Sequence, residues 1–473
     1  MKLARTLLDV KTLEGKKFRL SKYCHILNRK DKVCLYHSLS LGKAFISKTQ
    51  FEQLSSFLER PLDINYASKR GYHGFLAELY EKFMLVEANE NDDDALTLCQ
   101  QAIWEKAGIR LMYLIVTEQC NLDCSYCFVE KNYPVEREKK SMNSKIVKSA
   151  LEYFAAIRSN ETGNSQIILY GGEPLLNFPR VKDCVLHVDK LKSDGLLPKS
   201  QVLSLLTNGT LVDDSIAKFL YRYGVEVAVS LDGPQNMHDK FRKYADGKGS
   251  FQNAYKGAKI LSKYYGSKLG ISLAITPENV DTLPGIAEWV VKEFGVESIG
   301  LSLPTYPLNK VMNLRQIAKK VFKSYLVLRE YGIVEERFSR VLEPFYKEMV
   351  YPCDCGAIGS QIVVAPDGQV GICHAFLGER THFVRDVFIL KAKKVHPFSI
   401  SDWQEWRLRS PLTMKECRKC IALGICGGGC GYNALKMKGS IWDMDTDFCQ
   451  YISTMLRLLL WHTHDSLDTP SNG

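Results

Sequence analysis

The chain has 473 residues, 45% of them hydrophobic and 25% charged, an ordinary balance for a soluble folded protein too long for one small core and suited to two or three domains. Its formal net charge of +10 is spread over that length, so it argues only weakly for nucleic acid and would equally suit an acidic peptide. No apolar run approaches a membrane span; Leu458–Trp461 is far too short.

The N-terminus lacks the continuous apolar core and small-residue cleavage site of a signal peptide. Basic residues crowd positions 2–48, a pattern read as a solvated face. Residues 1–100 read as a separate module. Lys17–Leu27 and Lys32–Leu39 are strand-like, joined by a polar turn, and Gly42–Ser47 could add a third strand. Thr49–Leu58 and His73–Phe83 have helical spacing, followed by a short Leu85-Val86 run. Three strands and then helices resemble a winged-helix fold. Such a module could grip a peptide on its edge strand, or simply cap the next domain. The acidic stretch Glu87–Asp94 reads as a linker or loop.

Strands and helices then alternate. The expected strands are Leu111–Val116, Gln166–Leu169, Val202–Leu206, Val225–Ser230, Gly270–Ile275 and Ser298–Leu303, each short and apolar, as strands buried on both faces should be. The expected helices are Ser144–Ile157, Val181–Leu191, Asp214–Tyr223, Phe251–Tyr265 and Leu283–Phe294. This alternation over 106–310 suggests an α/β fold whose parallel sheet curls into a partial barrel. Chemistry in such barrels gathers at the C-terminal ends of the strands. Further helix, Leu314–Tyr331 and Arg337–Met349, makes 311–350 a bridge to a cysteine-rich region at 351–473.

Most of the fifteen cysteines fall in two clusters, which in a chain read as cytoplasmic suggests metal ligands before disulfides. Cys120, Cys124 and Cys127 form C-x3-C-x2-C directly after the first barrel strand. Three thiolates on one tight loop can hold three irons of a four-iron cluster, which ordinarily takes four, leaving one iron open. A zinc knuckle or three unrelated core cysteines is the alternative. The surrounding TEQCNLDCSYCF resembles the signature of radical S-adenosylmethionine (SAM) enzymes. That resemblance implies a 4Fe–4S cluster whose open iron chelates SAM. It also implies reductive cleavage of SAM to a 5′-deoxyadenosyl radical, and a flavodoxin or ferredoxin as electron donor. It assigns Gly171, Gly172 and Glu173, at the end of the second strand, to the amino group of SAM. Ser230 is assigned to its ribose or methionine end, Arg242 to its carboxylate or to substrate, and Tyr126 to the side of adenine. Ordinary turn chemistry would also explain Asn208-Gly209 and Asp232-Gly233.

Further on, Cys355, Gly368 and Cys373 are spaced C-x12-G-x4-C, and Cys417, Cys420, Cys426 and Cys430 are spaced C-x2-C-x5-C-x3-C, before Cys449. This resembles the SPASM domain, which extends a subset of radical SAM enzymes and binds two auxiliary iron–sulfur clusters; zinc is the alternative. The resemblance places Cys417, Cys420, Cys426 and Cys449 on an outer cluster. Cys355, Cys373 and Cys430 fall on an inner one, with Cys353 a doubtful fourth ligand. Val370–Ile372 and Gly427–Gly429 are small enough to bring N–H groups toward the sulfurs. Cys24, Cys34, Cys99 and Cys184 stand alone as core residues. Enzymes of this kind mostly modify peptides or proteins. The resemblance therefore implies a maturase of a ribosomally made peptide, forming a crosslink or an oxidised residue. An anaerobic sulfatase-type maturase making formylglycine is the alternative, and a non-catalytic metal-binding protein a third reading. His374 stands where sulfatase maturases place an aspartate, and is the candidate base or a hydrogen-bond donor to a cluster.

Overall fold

In the computed structural model, which describes residues 2–3, 5, 13–58, 61–69, 71–104, 108–131, 133–134, 136–159 and 163–468, the chain begins with a small mixed module. Its strands are β1 (Phe18–Leu20), β2 (Cys24–Arg29), β3 (Lys32–His37), β4 (Lys43–Ser47) and β5 (Leu85–Glu87), and its helices α1 (Lys48–Leu58), α2 (Ile64–Lys69) and α3 (His73–Glu81). β2, β3 and β4 form an antiparallel meander, while β1 pairs with β5. One face of the meander buries Val33, Leu35, Ala44 and Ile46 against Leu54 and Leu79 of the helices, giving the module its own core.

The acidic stretch is only partly a loop. Its last residues open α4 (Asp93–Trp104), where Asp93 and Asp94 sit in the first turn, the favourable end for negative charge. Leu96, Cys99 and Ile103 of this helix pack with Tyr23 and Leu39 of the module and with Val350, Leu412 and Leu423 near the other end of the chain. Gly424 N donates to Ser38 O at 2.8 Å. The N-terminal module thus rests on the cysteine-rich region.

The barrel strands are β6 (Leu111–Thr117), β7 (Gln166–Gly171), β8 (Val202–Thr207), β9 (Glu226–Ser230), β10 (Gly270–Ala274) and β11 (Ser298–Ser302), all parallel and in sequential order. The intervening helices are α5 (Phe128–Lys131), α6 (Ser144–Arg158), α7 (Phe178–Ser193), α8 (Asp214–Arg222), α9 (Gln235–Phe241), α10 (Phe251–Tyr265) and α11 (Leu283–Phe294). Every expected strand and helix is present to within a few residues. α12 (Leu314–Glu330), β12 (Val334–Glu335) and α13 (Glu336–Lys347) follow, with β12 adding to the β11 edge.

Beyond position 350 the chain returns to the opposite edge. β13 (Gln361–Val364) pairs in parallel with β6, and β14 (Gln369–Gly371) and β15 (Phe383–Asp386) continue the sheet antiparallel, making ten strands. α14 (Val387–Ala392), α15 (Ser401–Leu408), α16 (Gly431–Lys438) and the 23-residue α17 (Thr446–Asp468) complete the fold. A single hydrophobic core runs from Ile109 through Val364 and Trp403 to Leu460, so barrel and cysteine-rich region are not separated by a gap in packing. Among the described residues, no helix is long and apolar enough to cross a membrane.

Candidate functional site

The loop after β6 carries Cys120, Cys124 and Cys127, and the chain after α9 pins it. Asp123 N donates to Lys243 O at 2.7 Å and Ser125 N to Phe241 O at 3.1 Å. Within the loop, Leu122 N points at Cys120 Sγ (3.4 Å) and Glu130 N at Cys127 Sγ (3.5 Å). The three thiols are mutual electrostatic neighbours. Burial pushes Cys120 up to about 11 and Cys124 up to about 12. They stay protonated until a bound cation draws the protons off.

Gly171 and Gly172 lie directly under this loop. A Cβ on Gly171, whose φ is +151°, would stand 2.1 Å from Thr117 O, and one on Gly172 would stand 2.1 Å from Gln119 O and 2.9 Å from Cys120 N. Only glycine allows this approach. Glu173, in contrast, is fully buried behind the wall. Its carboxylate accepts from Leu175 N (3.0 Å), Thr207 Oγ1 (2.8 Å) and Asn208 N (2.7 Å), so it braces the β8 turn. The surface facing the cavity is therefore the glycine backbone rather than that carboxylate. Asn208 Nδ2 in turn donates to Asn121 Oδ1 (2.9 Å), tying the β8 turn to the cysteine loop.

The opposite wall is built on Asp232. Its carboxylate accepts from Tyr126 Oη, Arg242 Nε (2.8 Å) and Ala274 N (3.0 Å), and the Arg242 guanidinium lies over the Tyr126 ring at 5.4 Å. Among the described residues, the two terminal nitrogens of Arg242 have no protein acceptor. Ser230 closes the floor beside Ser272, Ala274 and Ser302, three wall residues that sequence patterning did not single out. The resulting cavity, about 1050 Å³, contains all three cysteines, Tyr126, Gly171, Gly172, Ser230 and Arg242 on its lining.

Glu118, also missed from sequence, sits two residues before the first cysteine with a fully enclosed side chain. It accepts from Arg137 (2.8 Å), Arg380 (2.7 Å), Tyr133 Oη (2.9 Å) and Lys140 N (2.9 Å). Arg380 also reaches Asp367 at 3.1 Å, and Arg137 donates to Leu377 O and Gly378 O. One carboxylate thereby joins the cysteine loop to the β14–β15 connection.

The remaining cysteines fall into two groups. Cys373 has Cys355 and Cys430 as charge neighbours. Cys426 has Cys449, Cys420 and Cys417. The SPASM resemblance implies the same two sets. Cys353 is half-buried, and its charge is felt at Tyr351. Gly428 N is directed at Cys426, as expected of the triple glycine. At Cys373, however, the donor is Ala375 N (3.4 Å), not any N–H of Val370–Ile372. Among the described residues, no three His, Cys, Asp or Glu side chains stand close enough together to hold a single metal ion. Cys34, Cys99 and Cys184 are buried.

His374 is enclosed by rings, with Tyr113 at 4.5 Å, Tyr170 at 5.3 Å and Phe128 at 5.7 Å. Among the described residues its Nδ1 has no hydrogen-bond partner, and burial pulls its pKa down to about 4. A neutral imidazole thus borders the barrel interior between the two inner thiol sites, since Tyr170 neighbours Cys127 and Tyr113 neighbours Cys355 and Cys373.

Residues 114–290, which include this loop and most of its cavity, match the family model of the radical SAM superfamily. The barrel is a radical SAM domain. Over 482 aligned positions the chain is 24% identical to the radical SAM cyclopropyl synthase TigE of Paramaledivibacter caminithermalis, covering 95% of this chain and 97% of that protein. It is 25% identical to a cysteine-type anaerobic sulfatase-maturating enzyme of Clostridium perfringens, covering 66% of this chain and 85% of that one. Among solved structures, native anSMEcpe with bound AdoMet superposes with a TM-score of 0.62 at 21% identity, over 76% of this chain and all of that chain. Streptococcus suis SuiB bound to precursor peptide SuiA superposes with a TM-score of 0.54 at 16% identity, over 92% of this chain and all of that one.

Radical SAM proteins use SAM and a 4Fe–4S cluster, and the residues present fit both. Three soft thiols share one loop, a glycine-floored cradle would be filled by any Cβ, and a buried guanidinium has donors to spare beside it.

Proposed function

We propose that the protein is a radical SAM maturase that removes hydrogen from a peptide substrate, giving a crosslink or an oxidised residue in a ribosomally made peptide. The observation that carries this reading is the likeness to TigE along nearly the whole of both chains, over a barrel whose cysteine loop faces a roomy cavity. Bound SAM and its cluster, held by Cys120, Cys124 and Cys127, would supply a carbon radical able to abstract hydrogen from an unactivated C–H bond. The protein's own work is positioning and exclusion of water. The Gly171-Gly172 backbone admits the amino-acid end of the cofactor, and the terminal nitrogens of Arg242 suit its carboxylate. Leu122, Phe128 and Val129 keep the chamber apolar. Asp232 holds Tyr126 and Arg242 in one orientation through the bonds described above.

The same reading gives the two distal thiol groups to auxiliary clusters, Cys355, Cys373 and Cys430 on the inner and Cys417, Cys420, Cys426 and Cys449 on the outer. Either would accept the electron left on substrate, and a flavodoxin or ferredoxin would supply the first one. The meander order β2-β3-β4 leaves two strand edges, which suits backbone pairing with a disordered leader. A second reading, sulfatase-type maturation, draws on the likeness to the Clostridium perfringens enzyme; against it, neutral His374 stands where the resemblance to sulfatase maturases implies an aspartate.

The deciding experiment is anaerobic co-expression with the peptide encoded by a neighbouring short open reading frame, followed by mass spectrometry. Loss of two hydrogens at one residue or one crosslink is expected. An unchanged peptide, together with formylglycine in a cysteine-containing sulfatase peptide, would favour the second reading.

A further inference from the structure

Beside the cofactor cavity the barrel interior opens into a second recess of about 610 Å³, counted with the open space at its mouth. Its walls are short side chains on β9–β11, namely Ala228, Gly270, Ser272, Gly300 and Ser302. Ser272 and Ser302, with Leu206, also line the cofactor cavity, so the two spaces are contiguous. The charged side chains lining it are Glu336, Arg337 and Arg340. The two arginines lie three residues apart on α13, so they share a helix face.

Among the described residues neither guanidinium has an ion pair or a hydrogen bond, although Glu335 lies within electrostatic reach of Arg337. Glu335 caps α13, accepting from Leu301 N (2.9 Å), Arg337 N (3.3 Å) and Phe338 N. Glu336 accepts from Ser298 Oγ at 3.2 Å. On the lining one carboxylate stands against two guanidiniums, while Glu335 and Asp354 lie behind it, Asp354 acting on Cys355 together with both arginines. Both arginines are also felt at Cys355 and Tyr113, which puts them beside the inner thiol group.

We propose that Arg337 and Arg340 bind a carboxylate of the substrate peptide, fixing the residue that enters the cofactor cavity. The inference rests on the peptide-modifying reading above. A guanidinium presents a planar fork of donors that matches a carboxylate, and half-buried Arg337 with exposed Arg340 on the same helix face, neither holding a protein acceptor among the described residues, suit an anion of that shape. An Asp or Glu side chain and a C-terminal carboxylate carry the same group.

The test uses the anaerobically reconstituted holoenzyme and three probes: acetyl-Gly-Gly-Glu-Gly-Gly-amide, its Gln counterpart, and acetyl-pentaglycine as the free acid. Binding is read by saturation-transfer NMR and calorimetry. The Glu probe should bind at least about tenfold tighter than the Gln probe, the advantage of a charge-assisted pair over a neutral one. Arg337→Gln with Arg340→Gln should abolish that ratio while the iron content stays at the wild-type value. Tight binding of the free acid instead would place the carboxylate at the peptide's end. The proposal is overturned if all three probes bind alike, if none binds, or if the preference survives in the double variant. It is also overturned if the double variant loses iron and the wild type shows no preference, which would make the arginines partners of the inner thiols. The co-expression mass shift is independent of these results, so the peptide reading can stand when this one falls.

Discussion

Replacing Glu118 with Gln should loosen two distant segments at once. The Glu118 carboxylate has no exposed surface and accepts from two guanidiniums, a phenol and a backbone N–H, at 2.7 to 2.9 Å. Removing one side of a buried ion pair costs about 3–5 kcal/mol. Arg137 and Arg380 are 21% and 15% exposed and keep Asp367 as a second partner at 3.8 and 3.1 Å, so the lower end applies, about 3 kcal/mol. Expressed as local opening, that is roughly a hundredfold faster amide exchange. Hydrogen exchange on the reconstituted protein should show it both in the cysteine loop at 118–127 and at 377–380. Arg380→Met should have a smaller effect, because Glu118 retains Arg137, and the double variant should fall short of the sum. A change of less than threefold, or one confined to the cysteine loop, would refute the argument that this carboxylate joins the barrel to the cysteine-rich region.

Gly172→Ala should cost the cysteine loop its iron, since the added Cβ meets Gln119 O at 2.1 Å; on the proposed complement of three clusters, iron per chain should drop by roughly a third, and an unchanged iron content would contradict the close approach. Arg409 is fully buried and donates to Ile441 O, Gly428 O (2.5 Å) and Asp443 O (3.3 Å), so Arg409→Met should destabilise by about 3–5 kcal/mol, and Lys should not rescue it for want of a planar fork; an unshifted thermal transition would count against this. His238, buried between Asp232 N and Ser250 Oγ, has its pKa lowered to about 4, chiefly by desolvation. The folded state therefore binds the proton less readily than the unfolded state, so its stabilising contribution is full above about pH 6.5 and is lost as pH falls toward 4, at up to about 1.4 kcal/mol per unit. Denaturant titrations between these limits should show a shallower pH slope in His238→Gln; an identical slope would reject the assignment.

What was legible in the sequence was local. The six strands are short apolar runs separated by helices of clear periodicity, so the barrel from Leu111 to Ser302 follows from pattern alone. The resemblance to the SPASM domain, rather than spacing alone, implies the sets Cys355, Cys373 and Cys430, and Cys417, Cys420, Cys426 and Cys449, whose members are electrostatic neighbours in the fold. What stayed hidden depends on contacts between distant segments. The β13 strand, Gln361–Val364, is four residues long and finds its partner β6 far back along the chain, a pairing that no window of sequence carries. Glu118 looks like any polar residue at a strand end until Arg137 and Arg380 converge on it. The family motif assigns Gly171, Gly172 and Glu173 together to the amino group of SAM, but no window of sequence shows that the turn lays the glycine backbone along the cavity while the Glu173 carboxylate bonds Thr207 and Asn208. Asp93 and Asp94 read as the end of an acidic loop, yet acidic residues before a run of apolar spacing also mark a helix start.

The central claim is that Cys120, Cys124 and Cys127 form the working metal site of a radical SAM barrel. Anaerobically reconstituted protein, reduced with dithionite in the presence of SAM, should release 5′-deoxyadenosine, and the triple Cys→Ala variant at these positions should release none. Equal release from both, or none from the wild type when it carries its full iron, would contradict the account.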